Sequence, residues 1–579
     1  MNETQNVEDL IAANETALLT VKLNEMIKSS FGAENTKLIF TSRANDLYNL
    51  AVITSVELYK LTGEHAYYDV SFRLSEQSKG AVLLSSIREL EAIEIGNIPE
   101  EIRNEENALK SALSSYKKLI LDEIQKEAPD SSKLVIWKNA VFAKSLKYDS
   151  LVKSIEENFP DYFNLKYSNE TVEINQVQDR LAKKDLLIEY KIADSNLIIF
   201  CLSKDSAYLI RTKLNDNFTE KVEDYVSFIN KFPLVSNISA VFNDFASTSH
   251  ELYNILIGPI DNINQYSKLI IVPDDILGYM TFEALVQKEF EGEKANYHGL
   301  DYLIRDFTVS YSNSATILLH KISNGKKPGN LLAMAPNYNF KNTDTINTSI
   351  NLRDLSRYLN PLEYTLDEVK NISSVFDGQL LIEGDATERN FKNEASKYGI
   401  LHFAMHTIIN DEDPLTSKLV FSLNNDTLED GFLNTYEIYN LNLNAELAVL
   451  SACKTGFGKL SKGEGIMSLA RGFLYAGVPG IVMTLWEVED ISSSIIMTDF
   501  YKLLKEGYHK DEALREAKLL YLESANQLNS HPYFWAAYVQ IGDDSPVGQS
   551  SKMFYLILGI AAILLIGVGF YIFRRRKKI

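Results

Sequence analysis

From Val172 onward the sequence alternates short apolar runs with stretches of helical periodicity, and that alternation leaves few folds open. The runs are 186–190, 197–202, 269–272, 307–311, 331–335, 379–382, 400–404, 447–451 and 480–485. Apolar runs of this length bounded by turn residues read as strands covered on both faces. Segments 363–376 and 511–522 read as helices. In the first, Leu366, Val369, Ile372 and Val375 make one apolar stripe; the second has an acidic first turn. Strands separated by helices imply an α/β fold, a mostly parallel sheet flanked by helices.

Residues 1–165 have a different texture and read as helical. Segment 44–61 carries apolar residues at helical spacing, Thr62-Gly63-Glu64 breaks it, and a second helix runs through Tyr67, Phe72 and Leu74. The pair is similar to one degenerate tetratricopeptide unit, without a 34-residue period that would make a solenoid. Such a region is expected to dock a protein partner. A chain of 579 residues exceeds one core, so separate domains are expected. The net charge of −20 excludes a dedicated nucleic-acid binder. Two cysteines, Cys201 and Cys453, exclude a disulfide framework and a Cys-rich zinc site. Cys201 sits inside the run 196–202 and reads as a core thiol.

Residues 553–573 contain no charged side chain and are followed by Arg574-Arg-Arg-Lys-Lys578. As a helix the segment spans about 32 Å, the thickness of a hydrocarbon core. It is expected to be a single transmembrane anchor, after a linker at 546–552 and before a basic tail at 574–579. The basic tail favours a cytoplasmic end, whereas residues 1–30 lack a basic start and an apolar signal core. The side of the large domain stays open.

Two runs end abruptly in reactive side chains. Ile400-Leu-His-Phe-Ala-Met precedes His406, and Leu447-Ala-Val-Leu-Ser-Ala precedes Cys453. Strand C-termini are where open parallel sheets place their chemistry. A thiol near pKa 8.5 needs a base, and an imidazole near 6.5 serves as one and then protonates the leaving amine. Against this stands inert packing, the commoner role of a cysteine at a strand end. Other chemistries are excluded. Gly456-Phe-Gly-Lys459 lacks the glycine and hydroxyl positions of a phosphate loop. His402 and His406 are four apart on a strand with no further ligand spacing, and neither H-E-x-x-H nor G-x-S-x-G occurs. No motif calls for a cofactor or a metal.

The order of motifs carries a resemblance. Leu401-His-Phe-Ala-Met-His406, Ala448-Val-Leu-Ser-Ala-Cys-Lys-Thr-Gly456, Gly463-Glu-Gly465, Ala470-Arg-Gly-Phe-Leu-Tyr-Ala-Gly477 and Thr484-Leu-Trp-Glu-Val-Glu-Asp490 resemble the CHAT domain. These are caspase-like peptidases, related to separases and often joined to tetratricopeptide repeats. The likeness includes Pro273–Leu285, Leu362–Lys370, Gly384–Thr387 and Pro532–Gly542, covering about 175–545, with the catalytic half at 360–545. It implies a cysteine endopeptidase with His406 as general base and Cys453 as nucleophile. The backbone N–H groups of Cys453 and Thr407 would form the oxyanion hole. Family members usually carry Gly where Thr407 stands, and a β-branched residue disfavours positive φ. Asp413, Glu464, Glu489 and Asp490 are candidates for lining a pocket or orienting a loop, and an acid in the P1 pocket would favour a basic P1 side chain. His402 reads as a core or supporting residue. The expected function is a membrane-anchored peptidase that cleaves a protein substrate and is activated by a partner or signal. The alternative is a catalytically inactive CHAT-fold scaffold or receptor.

Overall fold

The computed structural model describes residues 6–548, apart from 29–33, 96–97, 125–127, 167, 169, 233–237, 293, 321–328, 339–358, 360, 363, 424–425, 427–428, 453–455 and 457. Its first part is helical: Val7–Lys28, Glu34–Thr62, His65–Gln77, Ala81–Ile95, Glu100–Ile124, Ser131–Asn158 and Pro160–Lys166. The second and third helices form the expected pair. Gly63 between them sits at φ +72°, a left-handed conformation that glycine adopts without cost.

Among the described residues the remainder builds sixteen strands: β1 (Asp185–Ala193), β2 (Asn196–Ser203), β3 (Ala207–Lys213), β4 (Lys268–Val272), β5 (Thr308–Tyr311), β6 (Leu331–Pro336), β7 (Gly378–Glu383), β8 (Ile400–Met405), β9 (Thr407–Ile408), β10 (Lys418–Val420), β11 (Phe432–Asn434), β12 (Leu447–Ala452), β13 (Gly458–Ser461), β14 (Gly465–Ser468), β15 (Gly480–Thr484) and β16 (Tyr538–Gly542). Eleven form one sheet in the order β3-β2-β1-β4-β5-β16-β15-β12-β8-β6-β7. Each of the nine apolar runs falls in one of them.

The sheet is not parallel throughout. β1, β4, β5 and β16 run one way. β15, β12, β8, β6 and β7 also run parallel to one another. The two blocks meet at the antiparallel pair β15/β16, from Gly480↔Gly542 to Thr484↔Tyr538, and β2 and β3 extend one edge as an antiparallel ribbon. β3 escapes an apolar-run search because it is a half-buried edge strand interrupted by Arg211 and ending in Lys213. β16 escapes it because Gln540, fully buried, stands at its centre, where its amide donates to the carbonyls of Gly542 and Asp543.

The helical part is held to the sheet by buried charge. Lys79 bridges to Glu189 at 2.8 Å and donates to the carbonyl of Tyr190. Lys191 faces Asp274 at 3.4 Å and Asn45 at 3.2 Å. The carboxylate of Glu76 accepts from the N–H groups of Ala315 and Thr316 at the start of the helix Ala315–Leu319.

The expected membrane anchor is corrected. Among the described residues no helix is long and apolar enough to cross a membrane, because the long ones carry charged side chains along their length. Residues 553–573 lie outside the described residues. The transmembrane helix, the single-pass placement and the membrane as a partner are therefore withdrawn.

Burial also sets a pH response. His531 lies against Tyr297, with ring centroids 4.5 Å apart, and its Nδ1 accepts from the N–H of Tyr533. Burial holds its pKa down, from 6.5 to about 3. Above pH 6.5 both folded and unfolded chains carry it neutral. As pH falls toward 3 only the unfolded chain takes up the proton, so stability is lost at up to about 1.4 kcal/mol per pH unit. His531→Asn keeps the capping acceptor and is expected to flatten that part of the stability profile between pH 6 and 4, measured by urea unfolding.

Candidate active site

β8 and β12 are neighbours with parallel register, from Leu447↔Ile400 to Ala452↔Met405. Both are apolar and buried because helices cover each face of the sheet. The next residue after Met405 is His406, and the next after Ala452 in the sequence is Cys453. Cys453 lies outside the described residues. Cys201, the other cysteine, is enclosed in β2, where burial pushes its thiol up to about 12. A thiol so protonated is a poor nucleophile.

His406 is held through its backbone. Its N–H donates to Tyr338 Oη at 2.9 Å, and its carbonyl accepts from Val420 N–H at 3.0 Å. Tyr338 Oη in turn donates to the Val420 carbonyl at 2.6 Å, and the two rings lie 4.6 Å apart. The histidine is 8% exposed. Thr407 opens β9 and pairs with Leu419 of β10. It is not among the residues with positive φ, so the extended backbone there suits a β-branched side chain. His402 points elsewhere. It is fully buried, with Nε2 2.9 Å from Glu368 Oε1 and Nδ1 3.1 Å from Tyr501 Oη.

A small cavity adjoins the ends of β8 and β12, lined by Thr365, Glu368, Met405, Ser451, Asp490 and Ser493 among others. Ser493 Oγ donates to Glu368 Oε2, and the hydroxyls of Ser451, Ser493 and Tyr538 lie 2.6–3.2 Å from one another. The lining thus holds two carboxylates, of which Glu368 is already engaged by His402 and Ser493, together with the hydroxyls of Ser451 and Ser493. Asp490 was legible as a candidate. Glu368 was not, although an acid at the edge of the stripe Leu366–Val369–Ile372 was its signal.

The other candidates separate. Glu464 is buried, ion-paired with Arg471 and not part of that cavity. Its Oε1 accepts from Val82 N–H at 2.8 Å at the start of the helix Ala81–Ile95. Beside it, Gly80 N–H donates to the Gly463 carbonyl. Gly463 is at φ +79°, and a Cβ there would stand 2.8 Å from the Ser78 carbonyl oxygen. The sequence reads as a flexible loop over 458–465 and a helix over 465–477, whereas 458–468 is the hairpin β13/β14. The helix starts later, at Leu469, because Ser468 caps it through the Arg471 N–H. Asp413 is exposed at the head of the turn Pro414–Thr416. Glu489 caps the helix Asp490–Glu506 by accepting from Ser492 N–H. Two acidic clusters with metal-like spacing are already neutralised by lysines. Lys268 reaches Asp511 and Asp544, and Lys118 and Lys392 reach Glu388, Glu429 and Glu437.

The family model described as the CHAT domain matches residues 246–543, just over half of the chain. The chain belongs to the CHAT domain family. Tetratricopeptide repeat protein 28 of Mus musculus is 23% identical over 345 residues, 52% of this chain and 13% of its own length. The human protein of the same name is 25% identical over 224 residues, 33% of this chain and 9% of its own. The matches thus span a small part of those relatives. Among solved structures, the separase–securin complex of Saccharomyces cerevisiae aligns with TM-score 0.45 and 9% identity over 93% of this chain and 40% of that one. The Arg-specific cysteine proteinase gingipain R aligns with TM-score 0.32 and 11% identity over 57% and 76%. At these scores neither neighbour defines the site.

Tyr338 is the residue that sequence reasoning missed entirely, since nothing in its own segment marks it. Tyr338→Phe keeps the ring against His406 but leaves the His406 N–H without that acceptor. The expected cost is about 1–3 kcal/mol in urea unfolding.

Proposed function

We propose that the protein is a cysteine endopeptidase acting on a protein substrate through His406 and Cys453. The observation that carries this is the β8/β12 register, which ends one strand at His406 beside a strand whose sequence continues directly into Cys453. His406 takes the thiol proton, and the thiolate adds to the peptide carbonyl. Collapse expels the amine, which receives the proton from the imidazolium. Water, deprotonated by the same imidazole, then releases the acyl group as acid and restores the thiol. The N–H groups of Cys453 and Thr407 are assigned to the oxyanion, and the extended backbone at Thr407 puts no strain on that role.

The cavity beside the strand ends is assigned to the P1 side chain. Asp490 and Glu368 give it negative charge, so a basic P1 residue is the preferred substrate class. Asp413, solvated on its own turn, has no part in this assignment. Glu464 acts on the hairpin that follows residues 453–457. The helical region, 1–165, is assigned to protein-partner docking, and the contacts of Gly80 and Val82 with Gly463 and Glu464 support a link from that region to the hairpin.

Cys453→Ala and His406→Ala are each expected to lower peptide cleavage by about 10³-fold or more without changing the circular-dichroism spectrum. Cleavage by the Cys453→Ala chain at the unmodified rate refutes the assignment. Asp490→Asn is expected to reduce kcat/KM for an Arg-P1 peptide by about 10–100-fold, in line with loss of a desolvated charge pair, while an Ala-P1 peptide is little affected.

A further inference from the structure

The helix Ser131–Asn158 is apolar on two faces in its first half. One face, with Leu134, Trp137, Val141 and Tyr148, is half-buried and lies toward the helix Glu100–Ile124. The other shows Val135, Ile136, Phe142 and Leu146 to solvent at 58, 64, 67 and 55% exposure. At 100° per residue Val135, Phe142 and Leu146 fall within about 40° of one another, with Ile136 at their flank. Single exposed apolar residues are ordinary; four on one surface of one helix mark a contact surface.

Charge identifies what covers it. Between Ser131 and Tyr148 there are four lysines and no acidic residue, in a chain of net charge −20. Lys138 borders the stripe on one side and Lys147 on the other, both exposed. Lys147 makes only a solvent-exposed pair with Glu105 at 3.5 Å, a contact worth little. Lys133 and Lys138 make no ion pair among the described residues. A second copy is a poor occupant. An antiparallel two-fold pairing that superposes the stripes sets Lys147 of each copy toward Lys133 of the other, and brings together two chains of net charge −20.

We propose that this face docks an acidic amphipathic helix of a partner protein. Its apolar residues seat on Val135, Phe142 and Leu146, and its carboxylates flank them over Lys138 and Lys147. The inference rests on the partner-docking role assigned to the helical region and is independent of the peptidase chemistry, so it is tested on the full chain carrying Cys453→Ala.

The probe is a labelled 18-residue synthetic helix with a leucine stripe and glutamate flanks, with a lysine-flanked counterpart as control. The glutamate-flanked helix is expected to bind, and less tightly at higher salt. Phe142→Asp or Leu146→Asp should weaken it by about 10-fold or more, and Lys138→Glu by about 5-fold, given the usual weight of anchors and rim charges. These residues are exposed, so an unchanged melting temperature verifies the fold of each variant. The proposal is overturned if neither peptide binds, if both bind equally, or if Phe142→Asp leaves binding intact. It is also overturned if the face instead mediates self-association in sedimentation, or if it captures phosphatidylserine vesicles and not the peptide.

Discussion

The parallel ladder between β8 and β12 is the constraint on which the site depends. A slip of one residue would turn every side chain of a strand to the opposite face and separate its end from its neighbour's. Four contacts resist that slip. Phe403 packs between Phe391 and Phe473, with ring centroids 5.3 and 5.1 Å away. His402, three residues before the end of the strand, finds Glu368 on one ring nitrogen and Tyr501 on the other. A buried imidazole with two fixed partners tolerates a single register, because any other leaves polar atoms stranded in an apolar layer. His402, outside the proposed His406/Cys453 pair, thus sets where the strand that leads into His406 ends.

Much of this was legible in the sequence, for identifiable reasons. Strands enclosed on both faces write themselves as unbroken apolar runs, which is why β4, β6, β8 and β12 stand out. Edge and polar-centred strands do not: Arg211 hides β3 and Gln540 hides β16. The reversal between β15 and β16 was invisible, since local periodicity carries no information on direction. At the site, His406 and Cys453 were readable as candidates from their place at the ends of apolar runs. Tyr338 was not, because its role depends on a fold that brings position 338 next to 406. Glu464 and Asp490 looked alike as loop acids, yet one is enclosed with Arg471 and the other borders a cavity. Only three-dimensional neighbours distinguish them.

The helical region is built into the CHAT domain. Lys79 is buried against β1, inside the sheet, and the adjoining residues Gly80 and Val82 hold the tip of the β13/β14 hairpin. That hairpin follows directly on residues 453–457. Lys118, farther along the helices, enters the cluster of Glu388, Asp430 and Glu437 beside β11, in the small sheet that begins at Thr407. The helical part therefore meets the rest of the fold on two sides, by ion pairs beside the small sheet that begins at Thr407 and by hydrogen bonds at the β13/β14 hairpin.

The position of β16 has a consequence for how the chain comes into being. It is the last of the eleven strands in order of synthesis, yet it lies in the middle of the sheet, between β5 and β15. Ile541 meets Tyr311 across more than two hundred residues of chain. Until β16 leaves the ribosome, β5 and β15 each present an unpaired edge, and the two parallel blocks have nothing to join them. A nascent chain of this design has the ends of β8 and β12 made before its sheet can close, and the sheet stays divided until β16 has been made. The order of strands thus acts as a timer on the appearance of a folded domain.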